Sequence, residues 1–243
     1  MEAQKVLIIT TSHSVLGDTG EKTGVWLEEL AAPYYVFDDA GAIITIASPN
    51  GGEVPLDPKS EQVDALTPSS KRFQQDTAAM NSLNHTIPLK EIKEEEFDAV
   101  FLPGGHGPMW DLSNNVVLKS ILEAFNKKQK PIGLVCHGVV GLVSLQNDEG
   151  EPLVKGLKLT SFSDSEEEAV GLTKVVPFLL ESKLRSLGAN YHKGSDFSVY
   201  VVADVNIITG QNPASSNDTA IEILSMITSK KKQLHTDQYS NSQ

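Results

Sequence analysis

Four short apolar runs constrain the fold of this chain more than any other feature of its sequence. They occupy residues 6–9, 43–47, 99–102 and 132–135. Continuous apolar runs of this length are typical of strands that are buried on both faces of a sheet. Stretches long enough for helices separate the runs, at residues 24–40 and 116–126. Strands alternating with helices predict an α/β fold, a flavodoxin-like doubly wound sandwich with a mostly parallel sheet and helices on both faces.

The second half of the chain continues this pattern and raises the predicted sheet to six or more strands. We predict strands near residues 157–160, 199–202 and 206–209, and helices near 178–187 and 214–227. With 243 residues, 40% of them apolar, the chain can form one domain with a substantial core. We place that domain at residues 1–228.

Two segments depart from the alternation. Residues 50–84 are polar, contain three prolines and are too long for an ordinary connection, so we predict a lid or cap insertion beside the site. Residues 229–243 begin with a lysine run and continue with polar residues, which predicts a flexible C-terminal tail.

The charge of the chain limits its partners and its location. A formal net charge of −12 and a pI near 4.9 disfavour binding to nucleic acid or to an anionic membrane. No window approaches the ~20 apolar residues of a membrane span. The first residues, Met1 to Gln4, lead into the apolar run at residues 6–9 without the basic flank and longer apolar stretch of a signal peptide. We therefore expect a cytoplasmic protein.

Cys136 is the single cysteine of the chain, and it lies at a sharp turn. It directly follows an apolar strand, and Gly138 and Gly141 follow it in a predicted helix. This order is typical of a nucleophile elbow, where a reactive side chain stands at the carboxyl end of a strand. We expect the helix amino terminus to lower the pKa of the thiol. The alternative is a small buried residue that only packs.

His137 is the candidate base beside this thiol. It could accept the thiol proton and later activate water, or it could be a histidine that only packs behind the site. Adjacent side chains leave a regular helix in different directions, so contact with the thiol is not assured by sequence. The other histidines show no metal-ligand spacing, and we predict no metal. They are His13, His85, His106, His192 and His235.

A glycine-rich turn follows another apolar strand, at residues 103–107. Consecutive glycines bring backbone N–H groups close to a ligand. The N–H groups of Gly105 and His137 could form an oxyanion hole, and we assign Gly105, His106 and His137 to substrate and oxyanion binding. An ordinary glycine turn is the alternative. A phosphate loop is excluded because no Gly-Lys-Ser/Thr follows.

Acidic residues supply two further candidates. Glu28 and Glu29 lie among apolar neighbours in the first predicted helix, so one of them should point inward with a raised pKa and shuttle protons. Spacing does not decide between them. The cluster at residues 164–168 is either a solvated helix start or the source of a carboxylate that orients His137.

Several motifs in order resemble the DJ-1/PfpI superfamily, within the class I glutamine amidotransferase-like fold. They are Lys22-Thr23-Gly24-Val25, Pro103-Gly104-Gly105-His106-Gly107, Cys136-His137-Gly138, Thr160-Ser-Phe-Ser-Asp164 and Thr209-Gly-Gln-Asn-Pro-Ala-Ser215. Together they extend over nearly the whole chain, and they are most similar to the branch of glutathione-independent glyoxalase III and heat-shock chaperones. Val139 departs from the proline that many relatives have at this position.

The resemblance implies a role for each candidate. Cys136 would be the nucleophile, His137 its base, Glu29 the buried proton partner and Glu167 the carboxylate that orients His137. Glu166, Glu168 and Asp164 remain alternatives for this last role.

The resemblance also implies an activity. The thiolate would add to the aldehyde of a small 2-oxoaldehyde such as methylglyoxal, and a 2-hydroxy acid such as lactate would be released without any cofactor. The partners implied are this small substrate and a second copy of the chain in a homodimer. Alternatives are a protein deglycase, a cysteine peptidase or amidohydrolase, a stress-responsive holding chaperone and an oxidation sensor.

Overall fold

A computed structural model describes the backbone of residues 3–240 and the side chains of residues 3–229. Its strands are β1 (Lys5–Ile9), β2 (Ile43–Ser48), β3 (Ile87–Pro88), β4 (Ala99–Leu102), β5 (Ile132–Val135), β6 (Lys158–Leu159), β7 (Asn190–Tyr191), β8 (Val201–Asp204) and β9 (Ile207–Gly210). Its α-helices are α1 (Leu27–Asp39), α2 (Pro68–Gln75), α3 (Thr77–Asn84), α4 (Pro108–Asp111), α5 (Val116–Lys127), α6 (Asp164–Ala169), α7 (Leu180–Ser186) and α8 (Ser216–Ser240).

Seven strands form the main sheet, in the order β3-β2-β1-β4-β5-β9-β8. All neighbouring pairs are parallel except β8 and β9, which are antiparallel at one edge. Helices α1 and α8 pack on one face, and α5 packs on the other. The predicted α/β fold with a mostly parallel sheet and helices on both faces is therefore confirmed.

The apolar runs form this sheet because their side chains alternate between two buried faces. In β1, Leu7 and Ile9 belong to the core on the side of α5, whereas Val6 and Ile8 belong to the core on the side of α1 and α8. Each of these four side chains is fully buried. A buried side chain of this size stabilises the fold by about 1.5–3 kcal/mol, so the central strands anchor the domain.

The apolar pattern of the sequence did not predict all of the short strands or their pairing. The strand predicted near residues 157–160 is present as β6, but it pairs with β7 in a separate two-stranded sheet. We did not predict β3 and β7, which have two residues each. A strand of two residues is too short to show an alternation of apolar and polar residues. Such strands are recognised only from their hydrogen bonds to a neighbouring strand.

The predicted insertion at residues 50–84 packs beside α1. The ring of Phe73 in α2 meets the rings of Tyr34 and Tyr35 edge to face, at centroid distances of 5.3 and 6.2 Å. Nearer the sheet, the Val25 amide donates to the Pro55 carbonyl at 2.8 Å. The insertion therefore supports the helix that carries Glu28 and Glu29, and its action as a lid stays a prediction.

The C-terminal segment differs from the prediction of a helix at 214–227 followed by a flexible tail at 229–243. Helix α8 begins at Ser216 and continues to Ser240. No glycine or proline interrupts residues 216–240, and the lysine run consists of good helix formers, so the backbone continues as a helix. Residues 241–243 of the predicted tail lie outside the described residues. Within the described chain, none of the helices has both the length and the hydrophobicity of a membrane span.

Replacement of Phe101 tests how strongly the sheet centre determines stability. Its ring is fully buried in β4 and lies 6.1 Å from the ring of Phe37. We expect Phe101→Ala to lower the free energy of unfolding by about 3–5 kcal/mol, because the lost ring leaves a cavity. Val116→Ala, at a position that is 76% exposed, is the control and should change it by less than about 0.5 kcal/mol. Urea denaturation measures both, and equal effects would contradict this account.

Candidate active site

Cys136 occupies a strained turn between β5 and the 3₁₀ helix Cys136–Leu142. Its φ angle is +58°, in the left-handed region that residues other than glycine seldom adopt. Such a conformation costs about 1–3 kcal/mol and persists only where the surroundings hold it. Gly138 contributes to this, because a Cβ atom there would lie 2.4 Å from the Leu102 carbonyl oxygen. The turn therefore packs tightly against the end of β4 and has the predicted form of a nucleophile elbow.

The left-handed turn also brings two consecutive side chains into contact. The Sγ atom of Cys136 lies 3.3 Å from Nδ1 of His137. On the far side of the imidazole, Nε2 lies 2.6 Å from Oε2 of Glu167. An ionised carboxylate can only accept a hydrogen bond, so the Nε2 atom carries the proton. Nδ1 is then an acceptor that faces the thiol, which is the tautomer that a base for Cys136 requires.

Glu167 is the member of the acidic cluster that faces the site. It is 2% exposed on α6. Asp164 instead accepts hydrogen bonds from the amide and hydroxyl of Ser182, and Glu168 is exposed. Glu166 is buried but completes the N-terminal capping box of α6 with Ser163. Of the three alternatives that the sequence left open, Asp164 and Glu166 therefore have other partners, and Glu168 is exposed to solvent.

His106 also binds Glu167, an interaction that the sequence analysis missed. Its Nε2 atom donates to Oε1 of Glu167 at 2.8 Å. The rings of His106 and His137 are 4.1 Å apart between centroids, and Phe162 packs against His137 at 4.5 Å. Each carboxylate oxygen of Glu167 thus accepts one imidazole N–H. The position of His106 in the glycine turn predicted its presence at this edge of the sheet, but not this bond.

The structure distinguishes Glu29 from Glu28. Glu29 is fully buried in the first turn of α1, and its Oε2 atom accepts a hydrogen bond from the Gly104 amide at 2.7 Å. Its Oε1 atom makes no hydrogen bond of standard geometry within the described residues. The Glu29 carboxyl as a whole is close enough to Cys136 for the two groups to affect each other's pKa. Glu28 is half-buried and accepts hydrogen bonds from the hydroxyls of Thr67 and Ser70. Only Glu29 therefore faces the thiol.

Burial determines where the protons reside. It raises the pKa of Glu29 to about 8, even though the bonds from Cys136 and Gly104 oppose the shift. It also raises the pKa of the Cys136 thiol, and nearby Glu29 adds to this increase. The expectation of a lowered thiol pKa was therefore wrong, because the single amide of His137 that lowers it contributes less than burial. The resting site holds a neutral carboxyl and a neutral thiol.

The pKa values of His137 and Glu167 are lowered, whereas those of Glu29 and Cys136 are raised. Burial lowers the pKa of His137, and the neighbouring His106 adds to this effect, so the imidazole is neutral and can accept a proton. Burial would raise the pKa of Glu167, but His137 and the hydrogen bonds from both imidazoles outweigh it and hold that pKa far below its usual range. Glu167 is thus an anion that accepts a hydrogen bond from the neutral imidazole of His137.

Glycines allow the second turn to approach the elbow. A Cβ atom on Gly104 would lie 2.7 Å from Oε2 of Glu29 and 2.8 Å from the His137 amide nitrogen. Gly105 has a φ angle of +89°, and a Cβ atom there would lie 2.3 Å from the Gly24 carbonyl oxygen. This close packing places backbone groups of both turns together. The oxyanion hole of Gly105 and His137 stays a prediction.

A buried network fixes the helix that carries Glu167. Oε1 of Glu166 accepts hydrogen bonds from the Phe197 amide at 2.7 Å and from Nδ2 of Asn212 at 2.9 Å. Ser215 donates in turn to Oδ1 of Asn212 at 3.0 Å. The stretch at residues 209–215, noted in the sequence as a motif, therefore supports the site from behind.

Comparison with known proteins identifies the family. The model of the DJ-1/PfpI family matches residues 22–226, which include every residue described at the site. The chain belongs to the DJ-1/PfpI family. The resemblance inferred from the motifs is therefore confirmed.

Particular relatives in the DJ-1/PfpI family cover almost the whole chain. Glyoxalase 3 of Candida albicans is 30% identical, over 90% of this chain and 97% of its own length. A crystal structure of glyoxalase III from that organism has a TM-score of 0.85, with 91% and 96% of the chains covered. A glutathione-independent glyoxalase of Schizosaccharomyces pombe is 28% identical over 94% and 98%. Rapid Encystment Protein 24 KDa of Francisella tularensis is 40% identical, with a TM-score of 0.88 and coverages of 92% and 99%.

The raised pKa of Glu29 predicts a particular dependence of stability on pH. The folded protein keeps this proton up to a pH of about 8, whereas an unfolded glutamate loses it near pH 4.3. From pH 5 to 8 the folded state therefore binds the extra proton, and stability from this group is lost as pH rises, by at most about 1.4 kcal/mol per pH unit. Glu29→Gln removes the titration and should gain stability relative to wild type over this range.

Urea denaturation at pH 5, 6, 7 and 8 measures this difference. Glu168→Gln changes an exposed neighbour of the site and should follow the wild-type curve. If the curves of wild type and Glu29→Gln run parallel, Glu29 does not hold its proton as described.

Proposed function

We propose that this protein is a glutathione-independent glyoxalase that converts methylglyoxal or a related 2-oxoaldehyde to a 2-hydroxy acid. The observation that carries the proposal is the continuous array of Sγ of Cys136, the imidazole of His137 and the carboxylate of Glu167, with Glu29 beside the thiol. Relatives of nearly equal length named as glyoxalases support the choice of substrate class. Chemistry of this type requires an activated thiol and a proton shuttle.

The first step is addition of the thiol to the aldehyde carbon. The new S–C bond forms as the thiol proton moves to Nδ1 of His137, 3.3 Å from the sulfur. The electron pair of the C=O bond moves to oxygen, where the N–H groups of Gly105 and His137 would stabilise it. Protonation of this oxygen gives a neutral hemithioacetal. Because the resting thiol is neutral, substrate binding rather than a standing thiolate begins the reaction.

The second step isomerises the adduct to a thioester. The proton on the former aldehyde carbon is removed and a proton is delivered to the adjacent carbon. The hydroxyl of the hemithioacetal loses its proton and becomes the thioester carbonyl, while the ketone oxygen gains a proton and becomes the new hydroxyl. Glu29 and His137 are the groups that can exchange these protons near neutral pH, because the pKa of Glu29 is raised to about 8. No electron leaves the substrate, so the isomerisation needs no redox partner.

Hydrolysis completes the cycle. Water that is deprotonated by His137 attacks the thioester carbon, the S–C bond breaks, and Cys136 recovers its proton from the imidazole. The sum is one 2-oxoaldehyde and one water giving one 2-hydroxy acid. The predicted homodimer, the cytoplasmic location and the lack of a cofactor stay predictions.

Turnover by purified protein tests the proposal. We expect wild type to consume methylglyoxal and release lactate with no glutathione and with a chelator present, and Cys136→Ala to abolish both. Cys136→Ala must remain folded by circular dichroism. Lactate formation by Cys136→Ala would overturn the role of the thiol. A folded but inactive wild type would overturn the glyoxalase proposal and favour the deglycase, peptidase or chaperone alternatives.

Two neighbouring glutamates provide a matched test of the carboxylate. Glu167→Gln keeps the size of the side chain but removes the charge that orients and stabilises His137. We expect kcat/KM to fall by about 10²–10⁴-fold, the usual contribution of a positioned acid or base. Glu168→Gln, one residue away and exposed, should retain wild-type turnover. Equal losses in the two variants would contradict a specific role for Glu167.

A further inference from the structure

The two histidines that share Glu167 form a compact set of metal-binding atoms. One ligand atom from each of His106, His137 and Glu167 lies within 4.8 Å of the others, and all three residues are buried. They come from three separated parts of the chain, so the spacing of histidines in the sequence could not reveal them. Without a metal ion, hydrogen bonds hold the three residues together, since each oxygen of Glu167 accepts one imidazole N–H.

The same atoms match the preference of zinc. Two imidazole nitrogens and one carboxylate form a set found in zinc enzymes, and three protein ligands leave a fourth position for water. Imidazole also suits zinc better than it suits magnesium or calcium. The N–O separations of 2.8 and 2.6 Å are shorter than the roughly 3.4 Å between two ligands in a tetrahedral site with bonds near 2.1 Å. The separation between each Nε2 atom and its Glu167 oxygen must therefore lengthen by roughly 0.6–0.8 Å to admit the ion.

Cys136 lies on the other side of the imidazole. Its sulfur faces Nδ1 of His137, whereas the metal-binding atom of that ring is Nε2. The two ring nitrogens point in divergent directions, so one ion cannot bind Nε2 and the sulfur while the ring keeps its position. Zinc bound to Nε2 of His137 and to Glu167 would therefore not be bound to the sulfur of Cys136, and the two modes of binding can be told apart.

We propose that His106, His137 and Glu167 bind one Zn²⁺ ion, and that the ion reversibly inhibits the thiol chemistry. Zinc replaces the protons that now lie between each Nε2 atom and Glu167. Each imidazole stays neutral by carrying its proton on Nδ1 instead, so no proton is lost from the rings. In His137, Nδ1 is the atom that must accept the thiol proton. The occupied ring can then neither deprotonate Cys136 nor activate water.

Direct binding tests the site without any assay of activity. Zn²⁺ is titrated into metal-free full-length protein against a chromogenic chelator, and we expect one ion per chain. His106→Gln keeps an N–H donor for Glu167 but removes the imidazole, and it should bind zinc about tenfold or more weakly, since even outer partners of a metal site change affinity by 10–100-fold. His85→Gln is the control, because His85 is exposed at the end of α3. Equal affinities in the three proteins would overturn the proposal.

Cobalt gives a second measurement that does not depend on the folding of a variant. Co²⁺ bound by nitrogen and oxygen should show visible d–d bands and no thiolate-to-cobalt charge transfer. A thiolate-to-cobalt charge-transfer band in the wild-type protein would overturn the proposal, because the metal would then lie on the sulfur of Cys136. Absence of binding by wild type would overturn it as well.

The inhibitory effect rests on the proposed glyoxalase function, and its test separates the two. Zn²⁺ should inhibit methylglyoxal turnover by wild type and His85→Gln at similar concentrations, and a chelator should restore it. If wild type shows no turnover, the proposed function fails, whereas the zinc titration and the cobalt spectrum still decide the site. If wild type turns over and stoichiometric zinc leaves the rate unchanged, the inhibition fails.

Discussion

The left-handed backbone at Cys136 is the constraint on which the rest of the site depends. In a regular helix the side chains of residues 136 and 137 would diverge, but at a φ angle of +58° the thiol lies 3.3 Å from Nδ1 of its own neighbour. The surroundings hold this conformation from both sides, since β5 is buried in the sheet centre and Gly138 packs against the Leu102 carbonyl. Close packing around the turn therefore holds the strained backbone of Cys136 in place.

Burial then distributes the protons among four ionisable groups that have little contact with water. It keeps Glu29 and Cys136 neutral, it favours neutral His137, and only Glu167 remains charged because two imidazole N–H groups bind it. A single buried anion is tolerated here because two N–H groups donate hydrogen bonds to it. A second anion beside it would add electrostatic repulsion and a further desolvation cost. The resting site therefore holds a neutral carboxyl, a neutral thiol and a neutral imidazole beside one carboxylate anion.

The supporting residues explain why the site is rigid. Glu166 fixes the start of α6 through its capping box and its bonds to Phe197 and Asn212, so Glu167 has a defined position. The glycine turn fixes Glu29 through the Gly104 amide. Elements from both halves of the chain therefore meet at the carboxyl ends of β4, β5 and β9, where open α/β sheets bind ligands.

The sequence by itself determined the α/β alternation, the strands at β4 and β5, the elbow and the family, because apolar runs and short motifs record local constraints. It also restricted the site to a few candidates. The family resemblance already favoured Glu29 over Glu28, and Glu167 over its neighbours. Only the tertiary structure showed the contacts behind this choice and gave Asp164 and Glu166 other partners, because the direction of each side chain around a helix decides which carboxylate faces inward. The structure alone joined His106 to Glu167 and reversed the expected shift of the thiol pKa. Both outcomes depend on burial and on contacts between distant segments, which local sequence does not encode.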